Sequence, residues 1–109
     1  MANTFKVKTV NNIGTTDSDV YTCPSATATT IIGMNLANIT TSAVAADITL
    51  VNNDGPNVNI VKGAPIPAGG SLVAVGGDQK LVMEASDIIK VKSDTATSID
   101  VALSILEIT

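Results

Sequence analysis

Apolar and polar residues alternate along most of the chain, with the period of two that places successive side chains on opposite faces of a β-strand. Nowhere does an apolar stripe with helical spacing persist for a dozen residues. Clusters of Gly, Pro, Asn and Asp separate the alternating segments, as turns do. The pattern therefore predicts eight or nine short strands and no long helix, with the candidate strands at residues 4–10, 19–22, 27–36, 47–51, 57–61, 71–75, 80–84, 87–92 and 98–108.

The segments between these strands predict different kinds of connection. Residues 51–58 place Asn, Asp, Gly and Pro between two alternating runs, which predicts a hairpin. Residues 85–87 predict a second tight connection, and residues 76–80 another turn. Residues 63–70 contain two prolines, which remove amide donors and favour extended backbone. This stretch is therefore predicted to be an irregular crossover that links two sheets.

The last strand has an unusual distribution of apolar residues. Ile99, Val101, Leu103 and Ile105 share one face, and alternation predicts that this face enters the core. The opposite face should be solvated, yet Leu106 and Ile108 lie on it. Two explanations are open at this point: a bulge turns Leu106 inward, or a partner covers the outer face.

Many short strands with turn signals at roughly ten-residue spacing are typical of an antiparallel two-sheet β-sandwich. We therefore expect a single all-β domain over residues 1–109. Its connectivity is jelly-roll or immunoglobulin-like, and the pattern does not choose between them.

The composition excludes several classes of function. The chain has a net charge of −4 and lacks arginine, so its surface repels nucleic acid phosphates. Without histidine, the usual hydrolytic triads and catalytic zinc are excluded. No apolar run approaches the ~20 residues of a membrane span. We expect no catalytic residue, no cofactor, no nucleic acid and no membrane among its partners, and the protein is predicted not to be an enzyme.

The remaining candidate sites have simpler interpretations. The aspartates are scattered through turns, which predicts backbone-bonded turn residues and no metal site, with calcium held between loops or subunits as the alternative. Cys23 lacks the electropositive surroundings of a reactive thiol and is predicted to be a small apolar residue. The triplet Asn38-Ile39-Thr40 matches a glycosylation acceptor, but no secretion signal accompanies it, so the match is taken as accidental.

Five segments are distinctive when taken together: VYTCP at 20–24, IGMNLAN at 32–38, PIPAGGSL at 65–72, KLVMEASDIIKV at 80–91 and SILEI at 104–108. They resemble small virion structural proteins of tailed bacteriophages, especially of marine cyanophages. The resemblance spans nearly the whole chain and is one of strand and turn pattern. It implies a β-sandwich accessory protein, made in the bacterial host cytoplasm and located in the virion, without cofactor, active site or substrate.

The expected function is therefore a structural one, most specifically capsid decoration or cementing. A neck, tail or baseplate accessory protein and a carbohydrate- or host-surface-binding module remain alternatives. The expected partners are the major capsid protein or neck and tail proteins, and further copies of the chain, with a trimer as one candidate. Contacts are expected at the outer face of the last strand, the 65–70 crossover and the 37–46 loop, at residues Ile39, Val44, Pro65, Ile66, Pro67, Leu106 and Ile108.

Overall fold

The computed structural model describes residues 2–76 and 79–109. Part of the turn predicted at residues 76–80 lies outside the described residues, at Gly77 and Asp78. The described residues form nine strands and no helix. The strands are β1 (Asn3–Ile13), β2 (Ser18–Thr22), β3 (Ala28–Asn38), β4 (Val44–Val51), β5 (Val58–Ile66), β6 (Ser71–Val75), β7 (Leu81–Met83), β8 (Ile88–Ser93) and β9 (Ile99–Ile108).

The strands form two antiparallel sheets packed face to face. The five-stranded sheet has the order β1-β9-β3-β6, and its fifth strand, β7, also pairs with β3, on the same side of it as β6. The four-stranded sheet has the order β2-β8-β4-β5. Strands β4 and β5 are the predicted hairpin around residues 52–57. On either side of this hairpin along the chain, β3 pairs with β6, β2 with β8 and β1 with β9. In addition, β9 pairs with β3 and β8 pairs with β4, which completes the two sheets. This is the jelly-roll arrangement, which decides between the two connectivities.

The core lies between the sheets and contains the residues that alternation assigned to it. Ile99, Val101, Leu103 and Ile105 are all buried. They pack with Ile31, Leu36, Ile48 and Ile89 in a single apolar cluster. The predicted β-sandwich is thus confirmed.

The predicted 63–70 crossover is shorter than expected. β5 continues to Ile66, and only residues 67–70 form the irregular link, closed by a hydrogen bond from Gly70 N to Pro67 O. Pro65 is tolerated inside β5 because β5 is an edge strand, where a missing amide donor leaves no ladder bond unmade. The link does join the two sheets, as predicted.

The tight connection at residues 85–87 is present, but the strands that it joins, β7 and β8, lie in different sheets. The buried Asp87 carboxylate organises this corner. It accepts hydrogen bonds from Glu84 N and from Asn53 N of the hairpin tip, both at 2.9 Å. This aspartate bonds backbone amides as predicted, although it is buried rather than solvated.

The last strand keeps its alternation to the end. β9 pairs with β1 without a register shift from Val101 to Ile108, and Glu107 occupies the next inward position after Ile105. The irregularity opposite this region lies in β3, between Ile31 and Gly33. The explanation that a bulge turns Leu106 inward is therefore wrong, and Leu106 stays on the outer face.

Candidate interaction surface on the five-stranded sheet

The outer face of the five-stranded sheet carries a group of large apolar side chains in three neighbouring rows. Residues that pair directly across neighbouring strands share a face. The register places Phe5 beside Leu106, Leu106 beside Thr30, and Thr30 beside Val82. Ile108 lies in the next row toward the chain termini, and Val7 in the next row in the other direction. We call this set the apolar band: Phe5, Val7, Val82, Leu106 and Ile108.

The apolar band is open to solvent over much of its area. Phe5, Val7 and Val82 are 74%, 66% and 62% exposed, whereas Leu106 and Ile108 are partly covered by their neighbours. Single exposed apolar residues are normal on protein surfaces. A contiguous group of them is typical of a protein interaction surface.

Strand β1 contributes to the band because its apolar residues point to solvent and its lysines lie on the inner face, the reverse of the usual arrangement in a sandwich. Phe5 and Val7 point outward, while Lys6 and Lys8 lie opposite the core residues Ile105 and Leu103 on the inner face. β1 is an edge strand, so this inner face is only partly covered by the other sheet. Lysines in such positions hinder pairing of the edge with another sheet, and they leave the apolar residues on the outside.

A buried polar network lies on the inner side of the same region. Tyr21 Oη donates to Glu107 Oε2 at 2.5 Å and lies 2.9 Å from Thr29 Oγ1, while Lys6 Nζ contacts Glu107 Oε1 at 2.9 Å. Burial, reinforced by the bond to Glu107, raises the pKa of Tyr21. The bond from Tyr21, with that from Lys6, lowers the pKa of Glu107. The phenol therefore remains protonated and the carboxylate ionised, which suits a structural link between the sheets and not proton transfer.

The outer face of the four-stranded sheet has the opposite character. Asp47 lies near Lys62 at 3.4 Å and Lys92 at 3.8 Å, and Lys90 contacts Asp19 at 2.5 Å. The pKa of Asp47 is lowered, first by a hydrogen bond from Gly63 N and then by the lysines. The side chains of these pairs are 20–70% exposed, so the paired charges remain in contact with solvent.

Charge is nearly absent from the outer face of the five-stranded sheet. Among its outward strand positions that the structure describes, Asp100 is the only ionisable residue. Asp100 accepts a hydrogen bond from Asn12 N at 3.0 Å. Beside it lies an open hollow of about 630 Å³, whose outward-facing lining includes Thr9, Asn35, Ala37 and Ala102. The largest apolar side chains of the face thus lie toward Ile108, whereas the end near Asp100 is more polar and has Val73, 67% exposed and paired with Asn35, as its large apolar residue.

The described residues hold no group of three or more His, Cys, Asp or Glu side chains that could bind a metal ion. Several carboxylates instead accept backbone hydrogen bonds, as Asp94 does from Ala45 N and Asp47 from Gly63 N. These aspartates do bond backbone amides, but not the local ones predicted for turn aspartates, because Asp47 lies within β4 and both amides are distant in the chain. Over the ranges 2–76 and 79–109, no helix is long and apolar enough to cross a membrane.

The contact residues predicted from the sequence do not lie on one surface. Leu106 and Ile108 belong to the apolar band, whereas Ile39, 47% exposed, lies beyond the opposite end of β3. Pro65 pairs with Ala45 in the four-stranded sheet, and Pro67 lies in the link that follows it. These three are exposed but separate from the band.

Two of the predicted contact residues are wrong. Val44 and Ile66 are 3% and 0% exposed and pair with each other at the inner face of the four-stranded sheet. Both were assigned to a loop or a crossover, but β4 begins at Val44 and β5 extends to Ile66. Their side chains therefore fill the core and cannot contact a partner.

Sequence reasoning missed Phe5, Val7 and Val82. Phe5 and Val7 alternate with Lys6 and Lys8, which signals a two-faced strand. The signal does not say which face points inward, because that depends on the pairing partner. Val82 sits in a strand of three residues, too short for alternation to assign its face.

Cys23 and Asn38 have the structural roles that the sequence predicted or allowed. Cys23 is 1% exposed, with Sγ 3.4 Å from Thr27 O and 3.3 Å from Thr29 Oγ1. The Asn38 amide is buried and donates to the carbonyl groups of Ser42, Ile66 and Pro67. These bonds hold the 39–43 loop and leave the amide nitrogen inaccessible, in agreement with an accidental glycosylation triplet.

Comparisons with known proteins give a likeness of structure and none of sequence. No family model and no curated protein sequence matches the chain. A solved structure from Bacillus endospore appendages, described as a novel family of disulfide-linked pili, superimposes with a TM-score of 0.58. The identity is 11%, over 98% of this chain and 88% of that chain. At this identity the likeness shows a shared fold, in agreement with the two-sheet sandwich.

Proposed function

We propose that the protein is a non-enzymatic structural subunit that packs non-covalently into a larger protein assembly, specifically as a decoration or cement protein of a tailed bacteriophage head. The observation that carries this proposal is the apolar band on an otherwise uncharged sheet face. The resemblance of the sequence to small virion proteins supplies the particular assembly. The solved pilus structure supports only the coarser idea that this fold serves in structural proteins.

Burial of the band supplies energy for contacts between subunits of the assembly. Fully burying a Val, Leu or Phe side chain is worth about 1.5–3 kcal/mol. Three such side chains, Phe5, Val7 and Val82, are mostly exposed in the single chain. Because a ligand that binds only the assembled state stabilises it, many copies with contacts of this size brace a shell without any bond-making step.

Sugar binding is less well supported. Carbohydrate sites use aromatic platforms, and the chain has only two aromatic residues. Phe5 is exposed, but Tyr21 is buried and engaged with Glu107. The exposed Phe5 pairs directly with Leu106, and it lies apart from the second aromatic residue that a sugar platform would use.

A second candidate function is a subunit of an extracellular filament, which the fold likeness to a pilus protein favours. The disulfide linkage belongs to that protein. In this chain the single cysteine, Cys23, is buried beneath Thr27 and Thr29. A filament built from this chain would therefore be held by non-covalent contacts.

Immunogold electron microscopy distinguishes these assemblies. An antibody against the purified protein is applied to virions and to cell-surface material from the biological source of the sequence. Label distributed over virion heads is expected. Label confined to necks, tails or baseplates supports the accessory alternative, label along filaments supports the second candidate, and label on neither type of assembly contradicts the proposal.

The role of the band is tested by incorporation of variants. Val82→Glu places a charge in the band and is expected to lower the copy number per particle by about tenfold or more, the effect of losing about 1.4 kcal/mol per contact. Val58→Glu is the matched control, since Val58 is also an exposed valine but lies in β5 of the other sheet. Equal loss with both variants would place the contact elsewhere.

A further inference from the structure

We infer that the outer face of the five-stranded sheet packs against the same face of a second copy, related by a two-fold axis that runs along the strands. This inference rests on the proposed function, because it names the partner that covers the apolar band. It assigns the dimer as the unit that the larger assembly takes up.

The distribution of charge selects this face for contact between copies. Two chains of net charge −4 repel each other at most orientations. Asp19 and Asp47 lie on the outer face of the four-stranded sheet, and Asp94 lies beyond the end of β8. The five-stranded face presents only Asp100 among its described strand positions, so two copies meet there with little repulsion. A basic partner would find only Asp100 as a counter-charge at the described strand positions of this face, and an anionic partner would find none there.

The area of the face is sufficient for a specific dimer. Four strand positions of about 4.8 Å span roughly 19 Å, and the length of β9 at about 3.3 Å per residue spans roughly 33 Å. Each copy therefore buries roughly 600 Å², and the pair roughly 1,200 Å², which exceeds the roughly 1,000 Å² expected of a biological interface. Partial overlap would fall below that value, so the two faces must coincide almost completely.

The rows of the sheet fix the direction of the axis. An axis along the strands sets each row against the same row of the second copy, so that the apolar end meets the apolar end. An axis across the strands sets the band against the rows of Asn35 and Asp100, in which Val73 is the large apolar residue, or else overlaps only the terminal rows. The contact is isologous and closes at two copies, since the same patch is used by both.

This geometry predicts particular pairs. With the axis between β9 and β3, strand β1 of one copy lies over the β6 and β7 edge of the other. Phe5 then contacts Val82 of the second copy, since both belong to the same row. Each dimer contains this contact twice, and the contact buries Phe5 and Val82, the two most exposed side chains of the row.

Sedimentation equilibrium and cysteine crosslinking of the purified chain test the inference. The wild-type protein is expected at twice the mass of one chain. Phe5→Glu and Val82→Glu are expected to raise the dimer dissociation constant at least about tenfold, whereas Val58→Glu, which adds the same charge, leaves it unchanged. An equimolar mixture of F5C and V82C chains is expected to form a crosslinked heterodimer, and circular dichroism checks that each variant is folded.

The outcomes separate this inference from the proposed function. A wild-type monomer, a trimer, or a dimer that Val58→Glu and Val82→Glu weaken equally overturns the two-fold contact. If the wild type is a monomer and Val82→Glu still abolishes incorporation into particles, the proposed function stands and the second copy is not the partner. If Val82→Glu is monomeric but is incorporated normally, the dimer contact stands and the role of the band in the larger assembly is wrong.

Discussion

The hydroxyl of Tyr21 donates a hydrogen bond to Glu107 across the gap between the two sheets, at 2.5 Å. Tyr21 lies in β2 of the four-stranded sheet, and Glu107 lies at the inner face of β9 in the other. Lys6 of the edge strand β1 contacts the second carboxylate oxygen. One buried carboxylate therefore links both sheets and secures the strand that carries Phe5 and Val7 of the apolar band.

Removal of the Tyr21 hydroxyl is expected to destabilise the fold. Tyr21→Phe leaves the buried Glu107 without its phenolic donor, and an unsatisfied group of this kind costs about 1–3 kcal/mol, with charged groups at the upper end. Urea denaturation measures the change. In the double variant Tyr21→Phe/Glu107→Gln the loss is expected to be smaller than the sum of the two single losses, because the interaction is counted once. Strict additivity would show that the two groups are not coupled.

Acid is expected to weaken the fold through Glu107. Its folded pKa is lowered from the ordinary value of 4.5, by the Tyr21 hydrogen bond first and then by Lys6. A carboxyl group whose pKa is lower in the folded than in the unfolded state stabilises the fold at any pH above its unfolded-state pKa. This stability is lost as the pH falls through its folded-state pKa. The free energy of unfolding should therefore decline below about pH 4.5. Glu107→Gln is expected to flatten this decline, leaving the part due to Asp47 and Asp94, whose pKa values are also lowered.

Leu103 and Leu106 should respond differently to the same substitution. Leu103 is fully buried, so Leu103→Ala is expected to cost about 2–5 kcal/mol of folding stability. Leu106 lies on the outer face, so Leu106→Ala should cost the single chain about 1 kcal/mol or less while weakening the dimer. Denaturation under monomeric conditions and sedimentation equilibrium separate the two effects. Equal losses of folding stability would place Leu106 in the core.

Gly63 is predicted to be sensitive to a side chain for a backbone reason. It has φ +63° inside β5, and a Cβ there would meet nothing within 4 Å. Gly63→Ala is therefore expected to cost about 1–2 kcal/mol from left-handed strain alone. Gly33→Ala is the control, because Gly33 has an ordinary φ and its nearest Cβ contact is 3.8 Å. A larger loss at Gly33 would contradict the assignment of strain to Gly63.

Cys23 is expected to be unreactive in the folded protein. Its side chain is 1% exposed, so a thiol reagent reaches it only when the sandwich opens. Modification by a chromogenic disulfide reagent should be slow in buffer and complete in denaturant. The destabilised Leu103→Ala variant should react faster, since its open state is more populated. Rapid stoichiometric reaction of the native wild type would show that Cys23 is accessible.

The strands of this protein could be predicted from local pattern, because alternation and turn residues act over only a few positions. All nine predicted segments coincide with observed strands, although β5 runs five residues further than predicted, to Ile66. The inward-facing residues of β9 could also be predicted, because the long run of alternating residues that ends in Ile105 forms one continuous apolar face. Leu106 and Ile108 were recognised as misplaced for the same reason.

The tertiary structure alone decided how the strands pair and which face of an edge strand points inward. An alternating sequence defines two faces without ranking them, so Phe5 and Val7 became outward residues only through the register of β1 with β9. Jelly-roll connectivity likewise depends on contacts between residues far apart in the chain, such as β1 with β9, which no local period encodes. The apolar band joins residues from three strands in this way, β1, β7 and β9. Two of its five residues, Leu106 and Ile108, were visible in the sequence, and the other three came together only when β1 and β7 took their places in the sheet.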